Sequence, residues 1–312
     1  MPKPNNQCFS SRETLLNGLV IAGHGRHYKV LTDDGEVLEA HRRGKRADVC
    51  VGDRVACTQP RSGVTAIETV AERRNLLYRS DEWRIKTLAA NVDQVCIIFG
   101  SRPAFNPWFI WKAILAAKQA GITPIVVRNK IELIEDADKA QACIDLLAGI
   151  GELTLQVSAL AEAEKTRAVL LEHLRGKTTL FVGQSGMGKS TLLNLLIPHA
   201  QAATREFSEA LNLGKQTTTA AQWYDASGDG WKGAIIDTPG FQEFGLAHLS
   251  LNDILRAMPD IREHVGGCRF FNCRHLHEPG CSVKAALEAG SIDPDRYAFY
   301  AALAPSADAT KQ

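Results

Sequence analysis

The sequence predicts a multidomain fold, with an N-terminal β-barrel, a central α/β domain and a mostly α-helical C-terminal domain. Three observations predict it. Short strand patterns separated by glycines fill the beginning of the chain. Apolar strands then alternate with amphipathic helices, a pattern typical of a parallel sheet covered on both faces. The last part is helical and encloses a stretch rich in cysteine and histidine. A chain of 312 residues is long enough for two or three domains.

Residues 17–72 are predicted to form the barrel. Apolar and polar side chains alternate in residues 27–31 and 53–58, and glycine-containing turns separate the strand patterns. About five strands in this length fit an OB-like barrel, although an SH3-like barrel would fit nearly as well. Residues 1–16 are predicted to form a flexible tail, and the polar residues 73–90 an irregular linker to the next domain.

Residues 91–247 are predicted to form the α/β domain. Its candidate strands are five short apolar runs, at residues 95–99, 124–127, 153–157, 178–182 and 233–237. Helical patterns lie between most of these runs, so a parallel sheet is expected. Residues 248–312 are then assigned to the C-terminal domain.

The composition is that of an ordinary globular protein. Lys and Arg number 36 against 35 Asp and Glu, and 45% of the residues are hydrophobic, which excludes collagenous, coiled-coil and mainly disordered chains. No apolar run approaches the ~18–20 residues of a membrane helix. The first residues lack a signal-peptide pattern, and the eight cysteines are too sparse for a disulfide framework. We therefore expect a cytoplasmic monomer with reduced thiols and no membrane partner.

The strongest motif is GQSGMGKS at residues 183–190, which fits G-x-x-x-x-G-K-[ST] between an apolar strand and an apolar helix. Its glycines allow backbone N–H groups to approach phosphate oxygens, and the helix N-terminus favours negative charge. Lys189 is expected to reach the β- and γ-phosphates and to act in catalysis, and Ser190 to bind Mg²⁺. The predicted nucleoside triphosphate site comprises Gly183, Gln184, Ser185, Gly186, Met187, Gly188, Lys189, Ser190 and Thr191.

Two elements that follow predicted strands indicate which base is bound. Asn129, Lys130 and Glu132 resemble the guanine-reading N-K-x-D element, in which Asn bonds the base, the Lys stem packs on its face and a carboxylate accepts from its N–H groups. Ser158 and Ala159 fit the S-A element, whose backbone contacts the guanine oxygen. Both short motifs are common alone, and their value lies in their position after strands.

A third element, DTPG at residues 237–240, ends an apolar strand and matches the D-x-x-G element of GTPases. Asp237 is expected to hold Mg²⁺ through water, and the Gly240 N–H to bond the γ-phosphate. GKQTTT at residues 214–219 is the candidate switch segment, with Thr218 as catalytic residue and Mg²⁺ ligand. A threonine cluster without this context would more often be a solvated loop.

The order of the elements is unusual. The base-reading elements come before the phosphate-binding loop, whereas they come last in a Ras-like GTPase. The same sheet and site can form if the domain is circularly permuted, because domain termini tend to lie close together. We therefore predict a circularly permuted P-loop GTPase domain.

Cysteine and histidine residues near the C-terminus have the composition of a structural zinc site. Cys268, Cys273, His275 and Cys281 supply three thiolates and an imidazole, which together can close a tetrahedral Zn²⁺ site. His277 is the alternative imidazole ligand. Four protein ligands leave no open position on the metal, so its expected role is to fold the segment.

Together these motifs resemble one bacterial family closely, the ribosome small-subunit-dependent GTPase A family. The resemblance extends from about residue 18 to about residue 300. The matching segments are NVDQV at 91–95, NKIEL at 129–133, GQSGMGKSTLLN at 183–194, GKQTTT at 214–219, DTPGFQEFGL at 237–246 and the cysteine-rich residues 268–290. The resemblance implies an OB-fold, a permuted GTPase domain and a zinc-binding domain.

The resemblance also implies a function. The expected reaction is hydrolysis of GTP to GDP and phosphate, stimulated by the small (30S) ribosomal subunit during its late maturation. The barrel is expected to contact 16S rRNA, and the chain to bind Mg²⁺ and one structural Zn²⁺. The basic residues 41–46 suit phosphate contacts, although a solvated charged turn would have the same composition.

Three residues depart from common patterns. Glu132 replaces the family's usual Asp, so guanine selectivity has to be measured. Gln216 stands where the family commonly has a His considered for catalysis; Gln can orient water but cannot act as a general base near neutral pH. Phe241 follows the DTPG element where Ras-type enzymes place their water-orienting Gln, which predicts slow intrinsic hydrolysis.

Two other classes compete with the GTPase interpretation. A P-loop ATPase or small-molecule kinase would need no guanine-reading element, and competition between ATP and GTP would identify it. An RNA-binding assembly factor with a purely structural nucleotide would show no subunit-dependent turnover.

Overall fold

The computed structural model describes residues 15–42, 49–58, 65–80, 85–200, 221–240 and 244–305. Five strands come first in the chain and form a small barrel. They are β1 (Leu15–His24), β2 (His27–Thr32), β3 (Val37–Arg42), β4 (Arg54–Thr58) and β5 (Thr65–Val70). Strand β1 pairs with both β2 and β4, while β5 pairs with β3 in parallel and with β4 antiparallel. The ring is therefore closed, and it fits the predicted OB-like barrel.

The barrel is filled by the inward-facing side chains of its strands. Val20, Val30, Val55 and Ile67 are among the buried residues that form a core separate from that of the rest of the chain. Strand β1 begins at Leu15, where Leu15 and Leu16 pair with Thr58 and Cys57. The predicted tail of residues 1–16 was therefore too long at its end, because the pairing with β4 extends the strand.

The segment predicted to be an irregular linker, residues 73–90, instead contains an antiparallel pair of strands. These are β6 (Leu76–Ser80) and β7 (Ile85–Ala90). Leu77, Leu88 and Ala89 are buried in the core of the α/β domain. The expectation was wrong because the polar composition of the segment hides these apolar positions, which are buried only by distant parts of the chain.

The barrel is fixed to this hairpin by close backbone contacts. Gly52 has a φ of +91°, and a Cβ atom there would lie 2.1 Å from the carbonyl oxygen of Ala90. The Ala90 N–H donates to the Val51 carbonyl at 2.9 Å. Arg73 also donates two hydrogen bonds, of 2.7 and 2.8 Å, to the buried Asp53 carboxylate. These contacts set the position of the barrel.

The central domain has six strands and four α-helices in its described residues. The strands are β8 (Gln94–Phe99), β9 (Thr123–Arg128), β10 (Thr154–Gln156), β11 (Thr178–Val182), β12 (Gln222–Asp225) and β13 (Ala234–Asp237). The helices are α1 (Pro107–Gln119), α2 (Ala137–Gly149), α3 (Ala163–Leu174) and α4 (Lys189–Leu196). Each of the five predicted apolar runs overlaps one strand, and β12 is the additional strand.

The strand order determines which loops meet. It runs β10-β9-β8-β11-β13-β12, with every pair parallel except the last. The loops that follow β8, β9, β10, β11 and β13 therefore lie at one edge of the sheet, where open α/β sheets bind ligands. At the end of the sheet, β12 also pairs with β1 of the barrel through Gln222 and Ala22.

The C-terminal region combines four helices with loops in its described part, residues 244–305. They are α5 (Leu251–Ala257), α6 (Pro259–Arg262), α7 (Ser282–Glu288) and α8 (Pro294–Leu303). The residues between α6 and α7 contain turns and irregular backbone, so the prediction of a mostly helical domain agrees only in part. Those residues include the predicted metal ligands, whose spacing does not follow a helix.

Helix α8 fastens this region to the central domain. Phe299 packs edge-on against Trp108 and Trp111 of α1. Arg296 pairs with Asp260 at 2.7 Å, and its guanidinium lies 5.2 Å from the centre of the Trp111 ring. None of the described helices has the length and apolar character required to cross a membrane.

Candidate functional site

The phosphate-binding loop connects the central strand β11 to helix α4. Gly186 and Gly188 have φ values of +79° and +95°, in the left-handed region that favours glycine. A Cβ atom at Gly188 would lie 2.3 Å from Nδ2 of Asn129, so the absence of a side chain allows close contact with a neighbouring loop. The backbone of this loop is thus held in the form that a phosphate cradle requires.

Lys189 lies at the start of α4 with only 8% of its surface exposed. Its ammonium donates to the carbonyl oxygens of Gly183 at 2.8 Å and Gln184 at 3.1 Å. Burial lowers the pKa of Lys189, and the nearby Asp237 carboxylate opposes that shift. The positive charge of Lys189 therefore lies directly beneath the phosphate-binding loop.

The DTPG element lies against this loop. The Thr238 hydroxyl donates to the Phe181 carbonyl at 2.7 Å, which ties the element to β11. A Cβ atom at Gly240 would lie 3.2 Å from both Nζ of Lys189 and the Ser185 nitrogen. The backbone of Gly240 is therefore close to the lysine that would bind the terminal phosphates.

Asp237 has the properties of a Mg²⁺ ligand. Burial raises its pKa to about 6, although Lys189 and a backbone hydrogen bond from Thr238 oppose that shift. Among the described residues, its Oδ1 atom is buried and accepts no hydrogen bond. Ser190 is exposed in the first turn of α4. A buried carboxylate oxygen without a donor and an exposed hydroxyl fit a hydrated Mg²⁺ ion, which prefers oxygen ligands.

Asn129 joins three of the predicted elements. Its side chain is 1% exposed; Nδ2 donates to the Met187 carbonyl at 3.2 Å, and Oδ1 accepts from the Ala159 N–H at 3.1 Å. One buried amide therefore links the N-K-x-E element to the phosphate-binding loop and to the S-A element.

Lys130 crosses between two loops. It has a φ of +64°, and its ammonium donates to the carbonyls of Gly186 at 2.6 Å and Arg102 at 3.1 Å. This fixes the aliphatic stem that is predicted to cover one face of the base. Glu132, further along the same loop, is exposed.

Ser158 and Ala159 are buried at the end of β10. The Ser158 hydroxyl accepts from the Ala161 N–H at 3.0 Å, and the Ser158 N–H donates to the Thr166 hydroxyl at 3.1 Å. The predicted S-A element is thus a hydrogen-bonded turn next to Asn129.

Some predicted residues lie outside the described residues. These are Gln216 and Thr218 of the candidate switch segment, Phe241 after the DTPG element, and positions 43–46 of the basic run. Their predicted roles therefore remain predictions.

The loop between β8 and α1 is also part of the site, although no motif in the sequence marks it. The Asn106 N–H donates to the Gln184 side chain at 3.0 Å, and Pro103 lies beside Gly186. Arg102 forms ion pairs with Glu135 and Asp136 in the base-reading loop. The position of this loop after a parallel strand was the signal available in the sequence.

The predicted metal ligands converge in the C-terminal region. One candidate ligand atom from each of Cys268, Cys273, His275 and Cys281 lies within 4.8 Å of the others. Nδ1 of His275 is 3.4 Å from the Cys268 sulfur and 3.5 Å from the Cys281 sulfur. Tetrahedral zinc bonds of about 2.0–2.3 Å separate neighbouring ligand atoms by about 3.5–3.8 Å, so the two distances to His275 and the chemistry of the donor set are compatible with Zn²⁺.

His275, and not the alternative His277, faces this cluster. Its backbone has a φ of +62°, and its carbonyl accepts a hydrogen bond from the Tyr297 hydroxyl at 2.8 Å. Ser282 lies 3.1 Å from the Cys268 sulfur. Contacts of this kind orient the ligands of metal sites.

Comparison with known proteins agrees with this geometry. A protein-family model described as RsgA GTPase matches residues 70–247. A Ralstonia nicotianae protein named small ribosomal subunit biogenesis GTPase RsgA is 48% identical over 288 residues, which cover 92% of this chain and 91% of that protein. A Bordetella pertussis protein of the same name is 49% identical over 283 residues, covering 91% and 93%.

Two solved structures are similar over nearly the whole chain. The crystal structure of YjeQ from Thermotoga maritima has a TM-score of 0.67 at 26% identity, covering 96% of this chain and 100% of that one. YloQ, described as a circularly permuted GTPase, has a TM-score of 0.64 at 25% identity, covering 99% of both chains. The predicted permutation is thereby confirmed, and the comparisons favour the GTPase interpretation over a P-loop ATPase or kinase. The chain belongs to the RsgA GTPase family and is a GTP hydrolase.

Proposed function

We propose that this chain hydrolyses GTP to GDP and phosphate in the late maturation of the small (30S) ribosomal subunit, and that the subunit stimulates the reaction. The observation that carries this proposal is the meeting of the phosphate-binding loop, the DTPG element and the two base-reading elements around Asn129 and Lys189. The names of the relatives support the assignment to subunit biogenesis.

Each side chain in the site has a proposed part in the reaction. The loop amides of residues 183–191 and the Lys189 ammonium stabilise charge on the β- and γ-phosphates, and Gly240 bonds the γ-phosphate. Ser190, Thr218 and, through water, Asp237 would hold Mg²⁺. When bound, Mg²⁺ neutralises charge that develops on the phosphate oxygens. Gln216 orients the attacking water.

Guanine is proposed to bind between Lys130 and the turn at Ser158 and Ala159. Asn129 would bond the base directly, since its position is already fixed by two hydrogen bonds. Glu132 would accept hydrogen bonds from the ring nitrogens. Because Glu132 is exposed, its carboxylate is accessible to a bound base.

The other two domains are proposed to bind the subunit. The barrel would contact 16S rRNA, with the basic run that begins at His41 next to the RNA phosphates. A structural Zn²⁺ held by Cys268, Cys273, His275 and Cys281 would keep the C-terminal domain folded for its own contact with the subunit.

The test is steady-state hydrolysis of GTP and ATP with and without purified small subunits. We expect stimulation by subunits for GTP alone. Lys189→Ala should abolish turnover, whereas Lys165→Ala, which removes an exposed lysine paired with Glu162, should not change it. Turnover without any response to subunits would overturn the proposed role in maturation, and ATP hydrolysis at an equal rate would overturn the guanine site.

A further inference from the structure

Two adjacent aromatic side chains project into solvent from the loop between the metal-ligand candidates Cys268 and Cys273. Phe271 is fully exposed and Phe270 is 41% exposed. Isolated exposed apolar residues are ordinary, but two consecutive phenylalanines on one short loop present a large apolar area to water. No part of the GTPase mechanism uses them.

Hydrogen bonds hold the backbone of the loop that carries these rings. The Cys273 N–H donates to the Phe270 carbonyl at 3.2 Å, which closes a turn, and the Arg269 N–H donates to the Gly280 carbonyl at 2.9 Å. Both ends of the loop are candidate ligands of one metal cluster, so its backbone is already ordered. Binding a partner would therefore cost little backbone entropy.

A positive charge accompanies the rings. The exposed Arg269 guanidinium lies 5.6 Å from the centre of the Phe270 ring. Glu278, an acidic side chain of the same region, accepts hydrogen bonds from the backbone N–H groups of Arg274, Leu276 and His277, so its charge is used within the fold. Among the described residues, no carboxylate forms an ion pair with Arg269, so its charge is available to a partner.

This combination favours RNA over a protein partner. Unpaired bases stack on aromatic side chains, and an adjacent arginine pairs with phosphate or stacks in turn. An apolar pocket on a protein would cover the rings but would also have to desolvate Arg269 without neutralising it. A polyanion accommodates both groups.

We propose that Phe271, assisted by Arg269, is a stacking platform for an unpaired base of RNA. This inference rests on the proposed function, because it specifies how the C-terminal domain would contact the small subunit. It adds a binding mode and two residues to that contact.

The experiment measures the affinity of the full chain for two probes, purified small ribosomal subunits and fluorescent oligouridylate. The variants are Phe271→Ala, Phe271→Trp, Arg269→Ala and Leu153→Ala. Leu153 is the matched control, because it is an exposed apolar residue just before β10, at the opposite end of the strand from the nucleotide site. Zinc content and intrinsic GTP turnover without subunits should stay unchanged in all four variants.

We expect Phe271→Ala to weaken binding of both probes by about fivefold to a hundredfold, the range for loss of one base stack. Phe271→Trp should restore the affinity for both probes. Arg269→Ala should reduce the slope of log affinity against log salt for oligouridylate by about 0.7, whereas Phe271→Ala should leave that slope unchanged.

Three results would overturn the inference. If Phe271→Ala binds both probes like Leu153→Ala, Phe271 is not a stacking residue, while the proposed function stands. If Phe271→Ala loses affinity for subunits but binds oligouridylate normally, the ring is not a stacking platform for unpaired bases in general, and the inference fails. If the wild-type chain binds no subunits, the proposed function fails and the inference falls with it.

Discussion

Replacing Asn129 by alanine should separate three loops of the nucleotide site. In the wild type its amide pairs with the Met187 carbonyl and the Ala159 N–H, both of which belong to buried residues. The substitution leaves each group without its partner. A buried group left unpaired costs about 1–3 kcal/mol. The conformation that holds the loops together should therefore lose about 2–6 kcal/mol.

The assay is native-state hydrogen exchange, together with affinity for fluorescent GDP. Because a chain with several domains has no single unfolding free energy, local opening is the better measure. A loss of 1–3 kcal/mol at the Ala159 N–H predicts exchange about fivefold to more than a hundredfold faster. Affinity for GDP should fall by at least about tenfold, since the misplaced loops also lose the contact with guanine.

Asn75→Ala is the control. Asn75 also forms two backbone hydrogen bonds, with the N–H and carbonyl of Val92 at 2.9 and 2.8 Å, but it lies next to the β6–β7 hairpin. It should loosen its own surroundings and leave GDP affinity unchanged. If the Ala159 N–H of Asn129→Ala exchanges at the wild-type rate, or if the variant binds GDP as tightly as the wild type does, the role assigned to the Asn129 side chain is wrong.

Three other predictions concern stability, metal binding and pH. Gly52→Ala should lower the thermal midpoint of the transition in which the barrel unfolds by several degrees, because its Cβ would overlap the Ala90 carbonyl and its φ is positive; Gly35→Ala, with a positive φ but open space around it, should lower that midpoint less. Cys273→Ala should abolish the stoichiometric zinc measured by mass spectrometry and make the C-terminal region sensitive to protease, whereas a protein with Cys143→Ala should keep its zinc. Without nucleotide and Mg²⁺, Asp237→Asn should gain stability relative to the wild type as the pH rises from about 4 to about 6. The folded-state pKa of Asp237 is raised, so ionisation costs stability across that window. A constant difference in urea midpoint between pH 4 and 7 would contradict the burial of this carboxylate.

The phosphate-binding loop, the DTPG element and the metal ligands could be predicted because each is a short run whose chemistry depends on residue type and spacing. The place of the phosphate-binding loop in the sheet could also be predicted, since the apolar run at residues 178–182 coincides with the strand that precedes it. His275 was preferred to His277 from the sequence, but both lie in the same short segment, and it is the backbone conformation that directs His275 into the cluster.

The β6–β7 hairpin and the contact between Asn106 and Gln184 could not be predicted for a different reason. Leu77 is buried by residues that lie far from it in the sequence, so local polarity is misleading. The hydrogen bond between Asn106 and Gln184 joins positions 78 residues apart. Such contacts arise from the order of the strands, which the periodicity of the sequence does not specify.

The pairing of β12 with β1 has a consequence for dissecting the molecule. Strand β12 is the outermost strand of the central sheet, and its remaining edge is covered where Gln222 meets Ala22 of the barrel. A truncated chain that lacks the barrel would expose that edge, and it would also expose the Ala90 carbonyl that Gly52 contacts. Uncovered strand edges pair with one another between molecules. The isolated central domain should therefore self-associate, and the barrel protects it from aggregation.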